Sequence, residues 1–95
     1  MNQHEKLITW NAAKNRGNKK KHGISFEEAA TVFYDPLSLT VDDPEHSAHE
    51  RRHHIIGESQ RGHLVLVTFA QSAAEIRIIS AQKPTRRERE QYEEG

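Results

Sequence analysis

The chain has 95 residues, of which 34% are hydrophobic and 29% charged; its formal net charge is zero and it contains no cysteine. That suits one small domain over residues 1–95, and it excludes a disulfide frame, a thiolate nucleophile and a zinc–thiolate site. No apolar run reaches the length of a membrane span, and the start, MNQHEKLITW, lacks the basic-then-apolar order of an export signal, so the expected location is the cytoplasm.

Lys6 to Trp10 reads as a short strand, closed by Asn11, which can cap a helix. Trp10, the single tryptophan, is expected to anchor the core edge, with base stacking as the alternative. Ala12 to His22 reads as a polar helix stopped by Gly23. Lys19, Lys20 and Lys21 near its end complement the helix dipole, and phosphate binding is the rival use for them. His22, beside the glycine turn, is either a cap or an acid–base group.

Ser25 caps a second helix with Glu28 as its capping-box partner, and Phe26, Ala29, Ala30, Val32 and Phe33 form its apolar stripe. Asp35-Pro36 ends it, Leu37 to Val41 reads as a strand, and Asp42 to Glu50 as an acidic loop. That loop carries Glu45, His46 and His49 without a recognised ligand spacing, so neither a metal nor another cofactor is expected.

Arg51 to Gly57 and His63 to Ala70 form a hairpin. In its first strand Arg52, His54 and Ile56 share one face, and His53 and Ile55 the other. The second, containing LVLVTF, is apolar enough for the sheet centre. In the next strand strict alternation puts Ile76, Ile78 and Ser80 on one face and Glu75, Arg77 and Ile79 on the other. A mid-strand Arg77 between isoleucines needs a partner or a polar face. Pro84 then ends the ladder, and Thr85 with Glu88 is a capping box that puts Arg86 and Arg87 in a first helical turn. Cations there oppose the dipole at a cost of up to about 1 kcal/mol, which a bound phosphate would reverse. The structural alternative is a pair of surface ion pairs, Arg86 with Glu90 and Arg89 with Glu93, contributing about 0.3–0.5 kcal/mol each. Tyr92 is expected to pack at the helix end or to stack.

The sum is β-α-α-β-β-β-β-α, an α+β domain with an antiparallel sheet and helices packed on one face. The zero net charge hides segregation. Charged residues from Lys6 to Lys21 are basic, those from Glu27 to Glu50 are acidic, and those from Arg51 to Arg89 lean basic, an order that suits one polyanionic and one cationic partner.

Trp10, Lys14, Asn18, Lys21-His22-Gly23, Ser25 to Ala29, Asp35-Pro36, His46-Ser47, Glu50, Arg52, Gly57, Arg77 to Ala81 and Thr85 to Glu88 together give the sequence a pattern that resembles the BrnT family. These are toxins of bacterial type II toxin–antitoxin pairs. The resemblance implies a RelE-like ribonuclease fold, growth arrest by RNA cleavage, and neutralisation by BrnA, a ribbon-helix-helix antitoxin. It also implies a heterotetramer with that antitoxin, through which the complex binds and represses its own promoter DNA. Scission of RNA without a metal needs a base for the 2′-hydroxyl, cations for the phosphate and an acid for the leaving oxygen. The expected assignment gives Arg52 and Arg77, on neighbouring strands of the exposed sheet face, the scissile phosphate, Lys21, Arg86 and Arg87 the flanking RNA, and His22 or Glu50 the role of base. The alternative is a catalytically inactive relative that only binds the antitoxin and co-regulates.

Overall fold

A computed structural model describes residues 6–43 and 51–95. The expected order of elements is present: β1 (Leu7–Thr9), α1 (Ala12–His22), α2 (Phe26–Thr31) continuing into a 3-10 turn (Val32–Tyr34), β2 (Leu39–Asp43), β3 (Arg52–Glu58), β4 (Leu64–Gln71), β5 (Glu75–Gln82) and α3 (Arg86–Glu94). Glu45, His46, His49 and Glu50 lie outside the described residues. Among the described residues no helix is long and apolar enough to cross a membrane.

The strands form one sheet in the order β1-β5-β4-β3-β2. It is mixed rather than purely antiparallel, because β1 lies parallel to β5 with Ile8 opposite Ile76 and Thr9 opposite Arg77. Alternation from a hairpin cannot reveal such a pairing, since a parallel partner is separated by a long crossover, here most of the chain. The apolar β4 is the central strand, and Val65, Val67 and Phe69 are completely buried.

Local signals set the helices. Asn11 Oδ1 accepts the Lys14 N–H at the start of α1, and Gly23, at φ 77°, ends it in the left-handed region where glycine is favoured. Thr85 and Glu88 complete the expected capping box of α3. Ser25 caps α2 through the Glu28 N–H, but the Glu28 carboxylate turns instead to Ser59 and His63. Phe26, Ala29, Val32 and Phe33 carry the expected apolar stripe onto Ile55, Val65, Val67, Phe69, Ile76, Ile78 and Ala81. Trp10 is half-buried, edge-on to Phe26 at 6.4 Å.

Two contacts fix how this layer sits on the sheet. The Asn18 amide acts as a short piece of strand: Nδ2 donates to Ala81 O (2.8 Å) and Ile24 O (2.9 Å), and Oδ1 accepts from Ala81 N (3.1 Å). The 3-10 turn comes so close to β3 that a Cβ on Gly57 would stand 2.8 Å from Val32 Cγ1. Asn18→Ala is expected to lower unfolding free energy by about 2–4 kcal/mol by stripping buried backbone groups of partners. Gly57→Ala is expected to cost about 1–3 kcal/mol through overpacking. Both are read as a lower urea midpoint at unchanged slope.

Candidate nucleic-acid interface

Cross-strand pairing decides which side chains share a face. His53, Ile55 and Gly57 pair with Phe69, Val67 and Val65 on the side of α1 and α2, so Arg52, His54 and Ile56 belong to the opposite face. On β5 the strict alternation expected from sequence fails. Thr68 pairs with Ser80 but Phe69 pairs with Ile78, so Ile79 is an extra, bulged residue. Ile78 and Ala81 thus both reach the core while Ser80 moves to the face of Arg77.

The result is a polar field on that second face. Thr9, Arg77, Ala70 and Arg52 form one row across β1, β5, β4 and β3, and Ser80, Thr68 and His54 form the next. Arg77 and Arg52 are not on neighbouring strands as expected, because β4 runs between β5 and β3; they stand two strands apart, about 10 Å between backbones, with only the methyl of Ala70 between them. Two long guanidinium side chains can converge across that gap on one phosphate, which accepts paired N–H groups. His54 Nδ1 shares a hydrogen bond of 2.9 Å with Thr68 Oγ1. A shallow hollow of about 140 Å³ adjoins the arginine row, lined by Arg51, Ala70, Gln71, Ser72, Glu75 and Arg77.

The other residues expected to serve RNA lie elsewhere. Arg86 and Arg87 are exposed in the first turn of α3, where Arg86 Nε is 3.7 Å from Glu90, and Arg89 pairs with Glu93 at 3.9 Å. Lys21 is exposed at the end of α1. His22 lines a second and larger hollow, about 670 Å³, between the end of α1, the β3–β4 turn and α3. Its walls include His63, Leu64, Lys83, Arg89, Tyr92, Glu58 and Glu93.

Two carboxylates stand behind that hollow. The Glu28 side chain is 3% exposed, and its Oε2 accepts from Ser59 Oγ and His63 Nδ1, both at 2.7 Å. Asp35 Oδ2 accepts from the Glu58 N–H (2.7 Å) and the Tyr92 hydroxyl (2.6 Å), while Oδ1 accepts from the Leu37 N–H (2.9 Å). Burial alone would raise both carboxyl pKa values. The Ser59 and His63 hydrogen bonds outweigh it for Glu28, and the Glu58, Tyr92 and Leu37 bonds outweigh it for Asp35, so both end below their ordinary values. Asp35 in turn pushes the Tyr92 hydroxyl up to about 12. Neither His54 nor His63 stands in a motif that marks it as functional. Alternation already placed His54 beside Arg52, whereas no local pattern tied His63 to Glu28, 35 residues away.

The pH dependence of folding follows. Because the Glu28 and Asp35 carboxyls sit below 4.5 and 3.8 when folded, the unfolded chain takes up these protons first. Their stabilisation is complete above those ordinary values and disappears as pH falls through the lower folded ones. Glu28→Gln should flatten the acid limb of stability measured by urea unfolding against pH. Tyr92 has the opposite sign: its contribution holds below pH 10.0 and is lost as pH rises through about 12. Asp35→Asn should return the phenolate absorbance transition of Tyr92 toward 10.0.

A family profile described as the ribonuclease toxin, BrnT, of type II toxin–antitoxin systems matches residues 10–88. Among solved structures, the crystal structure of the Brucella abortus ribonuclease toxin, BrnT, aligns with a TM-score of 0.65 at 21% identity, covering 85% of this chain and 99% of that one. At that identity the likeness speaks for the fold, and it agrees with the α+β class expected from sequence. No curated protein matches the chain.

Proposed function

The chain belongs to the BrnT family of ribonuclease toxins of type II toxin–antitoxin systems, and from that premise we propose that it is itself a metal-independent endoribonuclease of the cytoplasm, held in check by a BrnA-type ribbon-helix-helix antitoxin. With that antitoxin it forms a heterotetramer that represses its own promoter. The observation that carries the reading is the row in which Arg77 and Arg52 flank Ala70 on the sheet face opposite α1 and α2.

In this reading the two guanidinium groups grip the scissile phosphate and neutralise charge that grows on its oxygens as the 2′-oxygen attacks. The base has to come from the same face. His22 and His63 belong to the other hollow, whereas His54, one row from the arginines, is an imidazole placed to exchange a proton with the substrate. Its bond to Thr68 fixes the ring. Glu50, on the segment leading into Arg51 and Arg52, keeps its candidacy from sequence, while Lys21, Arg86 and Arg87 serve as outlying phosphate contacts.

Arg52→Ala and Arg77→Ala are each expected to reduce RNA cleavage about a hundredfold or more, the effect of losing one transition-state cation contact of about 3 kcal/mol. His54→Ala should lower turnover by a similar factor while leaving RNA binding close to the parent's. Cleavage of a labelled RNA by folded variants, with growth after induction without antitoxin, checks all three. Unimpaired cleavage by both arginine variants would overturn the phosphate assignment. Intact RNA and normal growth with the parent chain would identify a non-cleaving relative that acts through its antitoxin alone.

A further inference from the structure

Resting on the reading that the chain acts on RNA, we propose that the larger hollow, between the end of α1, the β3–β4 turn and α3, is a second RNA subsite that seats one nucleotide outside the cleavage point. At the arginine end of the sheet Arg52 pairs with Ala70; at the hollow Glu58 pairs with Leu64, six residues further along both strands. At about 3.3 Å per residue the two places are about 20 Å apart. One phosphate cannot touch both, but one RNA strand can.

The walls match a nucleotide better than a bare anion. Single-stranded nucleic acid is held by cations along its backbone and an aromatic ring under a base. Lys83 and Arg89 supply the first, and Tyr92, with Leu64 and Ile24 beside it, supplies the second. Glu58 and Glu93 also line the hollow, and Glu93 lies 3.9 Å from Arg89. These carboxylates would repel a lone phosphate, yet they can accept from the exocyclic amino group of a base while Lys83 takes the phosphate. A volume of about 670 Å³ falls in the range of small-ligand pockets.

Two of the lining groups are fixed in advance. Glu28 is ionised near neutrality and can only accept, so His63 Nδ1 must be its donor and the tautomer is set. The His63 ring, 57% exposed, is thereby held at the rim with Nε2, an acceptor in that tautomer, open to a donor group on a base. Asp35 does the same for Tyr92 by holding its hydroxyl, which orients the ring without immobilisation cost at the moment of binding. A carboxylate behind each of two residues of one hollow, Glu28 buried and Asp35 half-buried, is more than that hollow needs as a mere gap between elements.

The test is binding of an uncleavable 2′-O-methyl oligoribonucleotide of about eight residues by the full chain, followed by fluorescence anisotropy across a salt series. Lys83→Ala and His63→Ala are each expected to weaken binding about five- to tenfold, and Lys83→Ala to reduce the log–log salt slope by about 0.7 for its one lost phosphate contact. Lys83 is exposed, so its variant keeps the fold even if His63→Ala loosens the Glu28 junction. Parental affinity and salt slope in both variants would overturn the subsite. Arg77→Ala, run in parallel, separates the two readings: weakening in the hollow variants alone supports the subsite and sinks the arginine site, and weakening in Arg77→Ala alone does the reverse.

Discussion

One carboxylate, that of Asp35, ties together three parts of the chain that have no sequence proximity. It ends the 3-10 turn, receives the backbone N–H of Glu58 at the end of β3 and holds the hydroxyl of Tyr92 on α3. Without it α3 would have little to bind it, since none of its residues is buried and its ion pairs are exposed surface pairs of small value. The same geometry brings Val32 against Gly57, so the carboxylate and the missing side chain of the glycine are two halves of one close approach. A charge drawn out of water in this way is tolerable because three donors meet it.

Much of this was legible in the order of residues. Helix ends are local events, and Asn11, Ser25, Gly23 and the Thr85–Glu88 pair marked them where the structure has them. The apolar stripe of α2 and the apolar run of β4 likewise announced the core, because burial period and element type go together. For the face of the sheet that carries Arg52 and Arg77, period two was sufficient on either side of the bulge.

What escaped was whatever depends on residues far apart. The extra residue at Ile79 is invisible to a rule that assumes unbroken alternation, although the adjacency of Ile78 and Ile79 conflicts with a one-sided strand. Glu28 looked like half of a capping box, since its spacing from Ser25 fits; the tertiary competitors Ser59 and His63 win because the carboxylate is buried and they are the donors within reach. His63 had no signal of its own. A histidine in a hairpin turn becomes notable only once the turn is folded back over α2.

The parallel pairing of β1 with β5 joins two strands that lie far apart in the order of synthesis. Leu7 can make no ladder until Ala74 and Glu75 exist, and Lys6 reaches Gln71 only across the finished sheet. Closing so long a loop is slow and must wait until β5 has been made. The row that sets Thr9 next to Arg77 is therefore absent from any nascent fragment that stops short of β5.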